Sequence, residues 1–344
     1  MLRTRIGWLA AIAALGLAAG ACKKNDNKAG SGSGATADKS TTGDKGDKAT
    51  PVAVAGGDDL ALLPVDSELV MGINFAQLQQ SALWKQYSPK LMDKISTDLA
   101  DFKADCGFDP LDAFKSVTIG MKGLGGQMPD GVIVVHGPEK AKSLACFDKM
   151  KAKAAAKGTE ITVDGDVVLM KDKNGGNTAF TFVNDTTMVG VIGNNATKDA
   201  VLAAAKGVST LKSSPSFVEM FSKINTGDSI WGLANGNSPA FSKMGGIGLK
   251  PKAIFGSVNV TDGLTLDMRI RTEKPDDAKS FVTTMQGQIN NPQVKQMFDK
   301  LDVSQDGADM KIAVAMSNQK LQQLIQMVGG MMGGMMGGGG VGGP

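Results

Sequence analysis

Apolar and polar residues alternate in short runs along much of the chain. The clearest runs are "SELVMGINF" (67–75), "SVTIGMKG" (116–123), "VIVVHG" (132–137), "NTAFTFVNDTTMVGVIG" (177–193), "GSVNVT" (256–261) and "LTLDMRIRT" (264–272). A period of two predicts half-buried strands. Between them the period lengthens. Leu91, Ile95, Leu99, Phe102 and Cys106 recur at spacings of three and four, as do Leu144, Phe147 and Met150. Those stripes predict amphipathic helices, and a further helix is predicted from about 196 to 205. Asp-Gly pairs at 130–131, 164–165, 262–263 and 306–307 predict hairpin turns, as does Asn184-Asp185, because tight turns need positive φ. Pro138 and Pro275 open predicted helices, where a missing N–H costs nothing.

The pattern is duplicated. "SVTIGMKG", Asp130-Gly131, "VIVVHG" and "PEKAKS" are answered by "GSVNVT", Asp262-Gly263, "LTLDMRIRT" and "PDDAKS". Pro138, Ala141, Lys142 and Ser143 match Pro275, Ala278, Lys279 and Ser280, and each helix leads to another Asp-Gly. The prediction is an α+β fold: two repeated units of antiparallel sheet, 60–210 and 211–328, with helices packed on one face. The layout resembles a group of exported bacterial proteins built from duplicated α+β units. Their first strand is announced by "LLP-D-…G-N", here Leu62-Leu63-Pro64-Val65-Asp66 through Gly72 and Asn74. That resemblance implies a fold and carries no chemistry.

The ends differ from this body. Arg3 and Arg5 precede an apolar run from Ile6 to Ala19, and small residues lead to Cys22. This order predicts a signal peptide over 1–21. Gly20-Ala21-Cys22 resembles the bacterial lipobox, with Ala19 where leucine is usual; Ala19-Gly20-Ala21 also fits ordinary signal cleavage. The lipobox resemblance implies lipidation of Cys22 and anchoring of the chain to a membrane. Lys23 after that cysteine resembles the enteric signal for outer-membrane delivery, which implies a protein facing the periplasm. Residues 22–59 hold mainly Lys, Asp, Gly, Ser, Thr and Ala and predict a disordered tether, with a root-mean-square reach of roughly 30 to 37 Å. The last segment, 329–344, is a Gly/Met-rich tail.

Composition narrows the chemistry. With Arg3 and Arg5 removed, 35 basic residues face 34 acidic ones, and only Arg269 and Arg271 remain as arginines. A nucleic-acid partner would need a basic stripe, so none is expected. With Cys22 lipidated, Cys106 and Cys146 form an even pair, read as a disulfide in an oxidising compartment or else as two buried thiols. His136 is the sole histidine, and its strand-end position reads as structural. The glycines at 120, 123, 125 and 126 lack the G-K-[ST] of a phosphate cradle and read as a loop. Carboxylates such as Asp58, Asp59, Asp164 and Asp166 read as turn and solvent residues, and Asp164-Gly165-Asp166 lacks the remaining ligands of a calcium loop.

In the tail, Met331, Met332, Met335 and Met336 offer sulfur to Cu(I), and the glycine spacing suits helix packing in a membrane. Six glycines between 329 and 338 cost a helix about 5 to 6 kcal/mol in water, which favours a coil. No cofactor, metal or enzymatic activity is expected. The sequence points to a lipid-anchored, periplasm-facing envelope lipoprotein acting as a non-catalytic binding or scaffold protein for an envelope partner. The alternative is a carrier of a lipid or other apolar ligand in a sheet-helix groove, with Met71, Met121, Met128, Met170 and Met188 as candidate lining.

Overall fold

A computed structural model describes residues 58–124, 129–173, 176–236 and 251–326 of the chain. A turn of 3-10 helix, Asp59–Ala61, leads to β1 (Leu69–Asn74), α1 (Phe75–Gln80), α2 (Ala82–Cys106) and α3 (Pro110–Ala113). Then follow β2 (Ser116–Lys122), β3 (Asp130–His136), α4 (Lys140–Ala156), β4 (Thr159–Asp164), β5 (Val167–Asp172), β6 (Asn177–Asn184) and β7 (Thr187–Ile192). After α5 (Lys198–Ala205) and α6 (Pro215–Phe221) come β8 (Ile230–Asn235), β9 (Ala253–Val260), β10 (Gly263–Arg271), α7 (Pro275–Ile289), α8 (Pro292–Met297), β11 (Lys300–Asp306) and β12 (Asp309–Ser317). A last helix, α9, begins at 318 and is described to 326.

The fold is α+β, as the alternation predicts. Among the described residues, all twelve strands join one antiparallel sheet in the order β11-β12-β10-β9-β8-β1-β2-β3-β7-β6-β5-β4. The two predicted units are therefore halves of a single sheet, and the described residues fall within one compact unit. They meet where β1 pairs with β8, and Gly72 stands opposite Trp231 there. A Cβ on Gly72 would lie 2.1 Å from the indole, so only glycine leaves room for that ring.

Helices cover both faces, not one. Val132 and Val134 join Val70, Leu233 and Phe255 in a core roofed by Val201 of α5 and by Phe217 and Met220 of α6. Residues between them point the other way. There, Phe147 of α4 stacks on Phe180 at 6.2 Å, and Val282 of α7 packs on Ile270, Val303 and Met310. One register row runs Phe180, Gly190, Ile133, Ile119, Met71, Gly232, Gly256, Met268 without a shift, so α4 and α7 share this second face. The sheet is apolar on both sides across its centre, which is why it takes two helical layers.

Local predictions meet local structure with two exceptions. Gly165, Gly263 and Gly307 sit at hairpin turns, but Asp130-Gly131 opens β3 opposite Met121 and Lys122. The turn there falls after Lys122, with Gly123 at φ 71°, and Asp130 instead accepts hydrogen bonds from Asn194 N–H and the Asn195 side chain. The second exception is Pro138. Pro275 is the first residue of α7, whereas Pro138 precedes the Glu139 cap of α4.

Cys106 at the end of α2 and Cys146 in α4 are joined by a disulfide, with Cα atoms 4.6 Å apart. The thioether of Met150 lies against both sulfurs, at 3.8 and 3.6 Å. Among the described residues no helix is long and apolar enough to cross a membrane. Cys22, residues 23–57 of the expected tether, Met128 and the tail methionines lie outside the described residues, whereas Asp58 and Asp59, also expected in the tether, open the folded unit, with Asp59 buried in its first turn.

Candidate functional site

The strongest candidate is an apolar groove between the sheet and three helices. Asn74 caps α1 through the N–H of Gln77, and Ser81 caps α2 through the N–H of Trp84. The N–H of Ala82 donates to Thr261 O at 3.2 Å, which ties the start of α2 to the β9–β10 turn. That connection places Leu83, Trp84 and Tyr87 opposite Val260 and Leu264, with Leu78 of α1 beside them. The far wall is α9, through Leu321 and Ile325, and Gln322 of that helix donates to Gln86 Oε1 at 3.1 Å. The cavity holds about 390 Å³, and Tyr87 and Ser88 are its polar side chains. Size and lining fall in the range of small-molecule sites. Ile325 remains 43% exposed at its mouth.

The methionines expected to line such a groove lie elsewhere. Met71, Met121, Met170 and Met188 follow the register of the face beneath α4, where Met188 is buried. Met121 also borders a smaller opening of about 280 Å³ beside α5. Large aromatic and leucine side chains form the groove instead.

Two polar clusters were not legible in the sequence. Asp59, read as a solvent residue, is 2% exposed. It accepts from Thr118 Oγ1 at 2.6 Å and lies 2.7 Å from His136 Nε2, and His136 Nδ1 lies 3.2 Å from Thr187 Oγ1. The hydrogen bond to Asp59, against the opposing effect of burial, raises the histidine pKa above its ordinary value. Hydroxyl, imidazole and carboxylate are the parts of a proton relay, but Thr187 is itself buried and closed to substrate. The cluster clamps the 59–61 turn onto the strand ends. No local spacing could have found it, since its members come from positions 59, 118, 136 and 187.

The second cluster surrounds Asp309, which is 1% exposed. Arg271 meets it with two hydrogen bonds, Nε at 2.6 Å and Nη2 at 2.9 Å, and Lys223 Nζ adds a third at 2.9 Å. Burial pushes the Asp309 carboxyl up, and the bonds from Arg271 and Lys223 outweigh it, leaving the pKa below its usual range. Arg271 also grips Glu219 of α6, whose carboxyl falls to about 2, and its guanidinium lies 5.5 Å from the Phe255 ring centre. This network fastens α6 to β10 and β12. One signal was available: in a lysine-rich chain, an arginine kept on a strand suits bidentate pairing.

The remaining expectations resolve as local structure. Glu68 accepts from the N–H groups of Gly123 and Leu124, so a carboxylate of the chain itself occupies that part of the glycine-rich loop. Asp164 and Asp166 pair with Lys198 and Lys140. Among the described residues no group of three or more His, Cys, Asp or Glu is placed to hold a metal ion. Compared with protein-family models, curated proteins and solved structures, the chain matches none of them.

Proposed function

We propose that this is a non-catalytic envelope lipoprotein that holds an apolar ligand of acyl-chain type in the groove between α2, α9 and the β9–β10 hairpin. In this reading Cys22 carries the lipid, residues 23–57 form the tether, and the folded unit faces the periplasm from the outer membrane. The observation that carries the proposal is the groove lining, in which Leu78, Leu83, Trp84, Val260, Leu264 and Leu321 supply most of the wall. Covering such a wall with an acyl chain gains roughly 0.8 kcal/mol per buried methylene. The absence of a general acid–base pair from the groove favours binding over turnover.

The test uses full-length protein purified from envelopes. Mass spectrometry should detect a co-purified acyl ligand, and oleate should change the emission of Trp84, since the other described tryptophan, Trp231, is buried away from the groove. Leu264→Glu places a charge in the wall and should weaken oleate binding more than about tenfold, or ~1.4 kcal/mol. Oleate binding untouched by Leu264→Glu, or no ligand and no response, would overturn the carrier reading. A protein partner retained on envelope crosslinking would then favour the scaffold role.

A further inference from the structure

Three sulfur atoms meet between the end of α2 and the middle of α4. Cys106 and Cys146 supply two of them, with Cα atoms 4.6 Å apart. The third is Met150 Sδ, which lies 3.8 Å from Cys106 Sγ and 3.6 Å from Cys146 Sγ. Cys146 and Met150 stand four residues apart on α4, so helical geometry sets them on one face, and Cys106 reaches that face from α2. An apolar filler needs to touch the cystine only somewhere. This thioether touches both sulfurs.

The spacing is that of a metal triangle. Three sulfurs each about 2.3 Å from one metal ion stand about 4 Å apart. Two edges of the triangle here already fall within a few tenths of an ångström of that length. Reducing the disulfide lets the two thiols part to van der Waals contact, which brings the third edge close to the other two.

The surroundings select the metal. Cys146 is buried, Cys106 and Met150 are half-buried, and Phe102 stands one turn before Cys106 on α2. The carboxylate next to Cys106, Asp105, is held by Lys153 Nζ at 2.6 Å. Among the described residues no group of three or more His, Cys, Asp or Glu is placed to complete a tetrahedral zinc site. Two thiolates and a thioether form a soft donor set, which suits Cu(I). The Lys153–Asp105 pair also links α4 to α2 independently of the disulfide, so the two helices keep a connection when it opens.

We propose that Cys106, Cys146 and Met150 form a trigonal site for one Cu(I) ion when the disulfide is reduced. Reduction takes two electrons and two protons from a dithiol, which leaves as its own disulfide. Cu(I) then displaces both thiol protons to solvent, so metal and disulfide exclude each other at this site. The site is separate from the apolar groove and stands or falls without it.

The experiment uses the full chain carrying Cys22→Ser, so that Cys106 and Cys146 are its only cysteines. Dithiothreitol reduces the protein, which is desalted without oxygen and titrated with Cu(I) against bicinchoninate, beside the oxidised form. The reduced form should take up one more Cu(I) per chain than the oxidised form. At one equivalent, X-ray absorption should count three sulfur neighbours. Met150→Leu, a replacement of similar volume, should leave thermal unfolding of the oxidised protein nearly unchanged. It should weaken Cu(I) binding by the reduced protein at least tenfold, or ~1.4 kcal/mol, and lower the sulfur count to two. Replacing Met331, Met332, Met335 and Met336 with Leu should leave that added ion in place. Equal uptake by the oxidised and reduced forms, loss of the added ion with the tail methionines, binding untouched by Met150→Leu, or no uptake would each overturn the proposal.

Discussion

Asp59 gives up nearly all its water on folding and receives Thr118 and His136 in exchange, so the imidazolium beside it offsets the burial of a carboxylate. Protonated His136 donates from Nε2 to Asp59 and from Nδ1 to Thr187, which is why its folded pKa lies above the ordinary value. A raised folded pKa contributes stability that is fully present below about 6.5, the unfolded value, and is lost as pH rises through the folded one. His136→Asn should therefore cost about 2 kcal/mol at pH 5 and progressively less above neutrality. Urea midpoints of both proteins across that range would show it, and a pH-independent difference would sink the ion-pair account. Arg271 and Asp309 obey the same rule with the opposite sign, being carboxylate-centred: their contribution survives above the unfolded carboxylate range and fades as acid protonates Asp309 and Glu219.

At the scale of elements, α2 is the exception among the long helices. It runs from Ala82 to Cys106, yet none of its described side chains is fully buried. Its attachments include the Ser81 cap, the bond from Ala82 to Thr261, the bond from Gln322 of α9 to Gln86, and, to α4, the Lys153–Asp105 ion pair and the disulfide. Closing a sequence separation of 40 residues is worth about 4 kcal/mol in the chain-entropy model. Cys106→Ser with Cys146→Ser should lose about that much, and hydrogen exchange should show the α2 amides opening well before those of β2 and β3. Uniform protection across α2 and the sheet would mean that packing, not the disulfide, holds the helix. The helix itself was legible, because apolar residues at 95, 99, 102 and 106 repeat on one face. Its thin packing was not, since the stripe does not reveal how near the sheet lies. Asp130-Gly131 shows the limit from the other side: a strong turn signal lost to a longer connection that left Gly131 beside Ile192 in the ladder.

Across the whole molecule, the seam between β1 and β8 turns two sequence units into one sheet. Gly72 lies under Trp231, and Trp231 meets Phe221 edge to face at 5.2 Å, so the seam and the α6 roof share a side chain. Gly72→Ala forces the indole to move and should destabilise the protein by about 1 to 3 kcal/mol while unfolding stays a single transition. Calorimetry would test this; an unchanged midpoint, or two separate transitions, would contradict a shared core. The apolar groove belongs to this scale too, because its walls at 78–87, 260–264 and 321–325 meet only after both halves of the sheet are in place. What the sequence determined by itself was local: alternation made strands, Asp-Gly turns closed three hairpins, and three-and-four spacing set the helices, each acting within a few residues. The α+β class followed from those elements. Strand order, the second helical layer, the burial of Asp59 and Asp309, and the groove were decided by tertiary structure alone. Each depends on contacts between distant segments, whose partners no local propensity specifies and whose burial repays their ordering only in the assembled sheet.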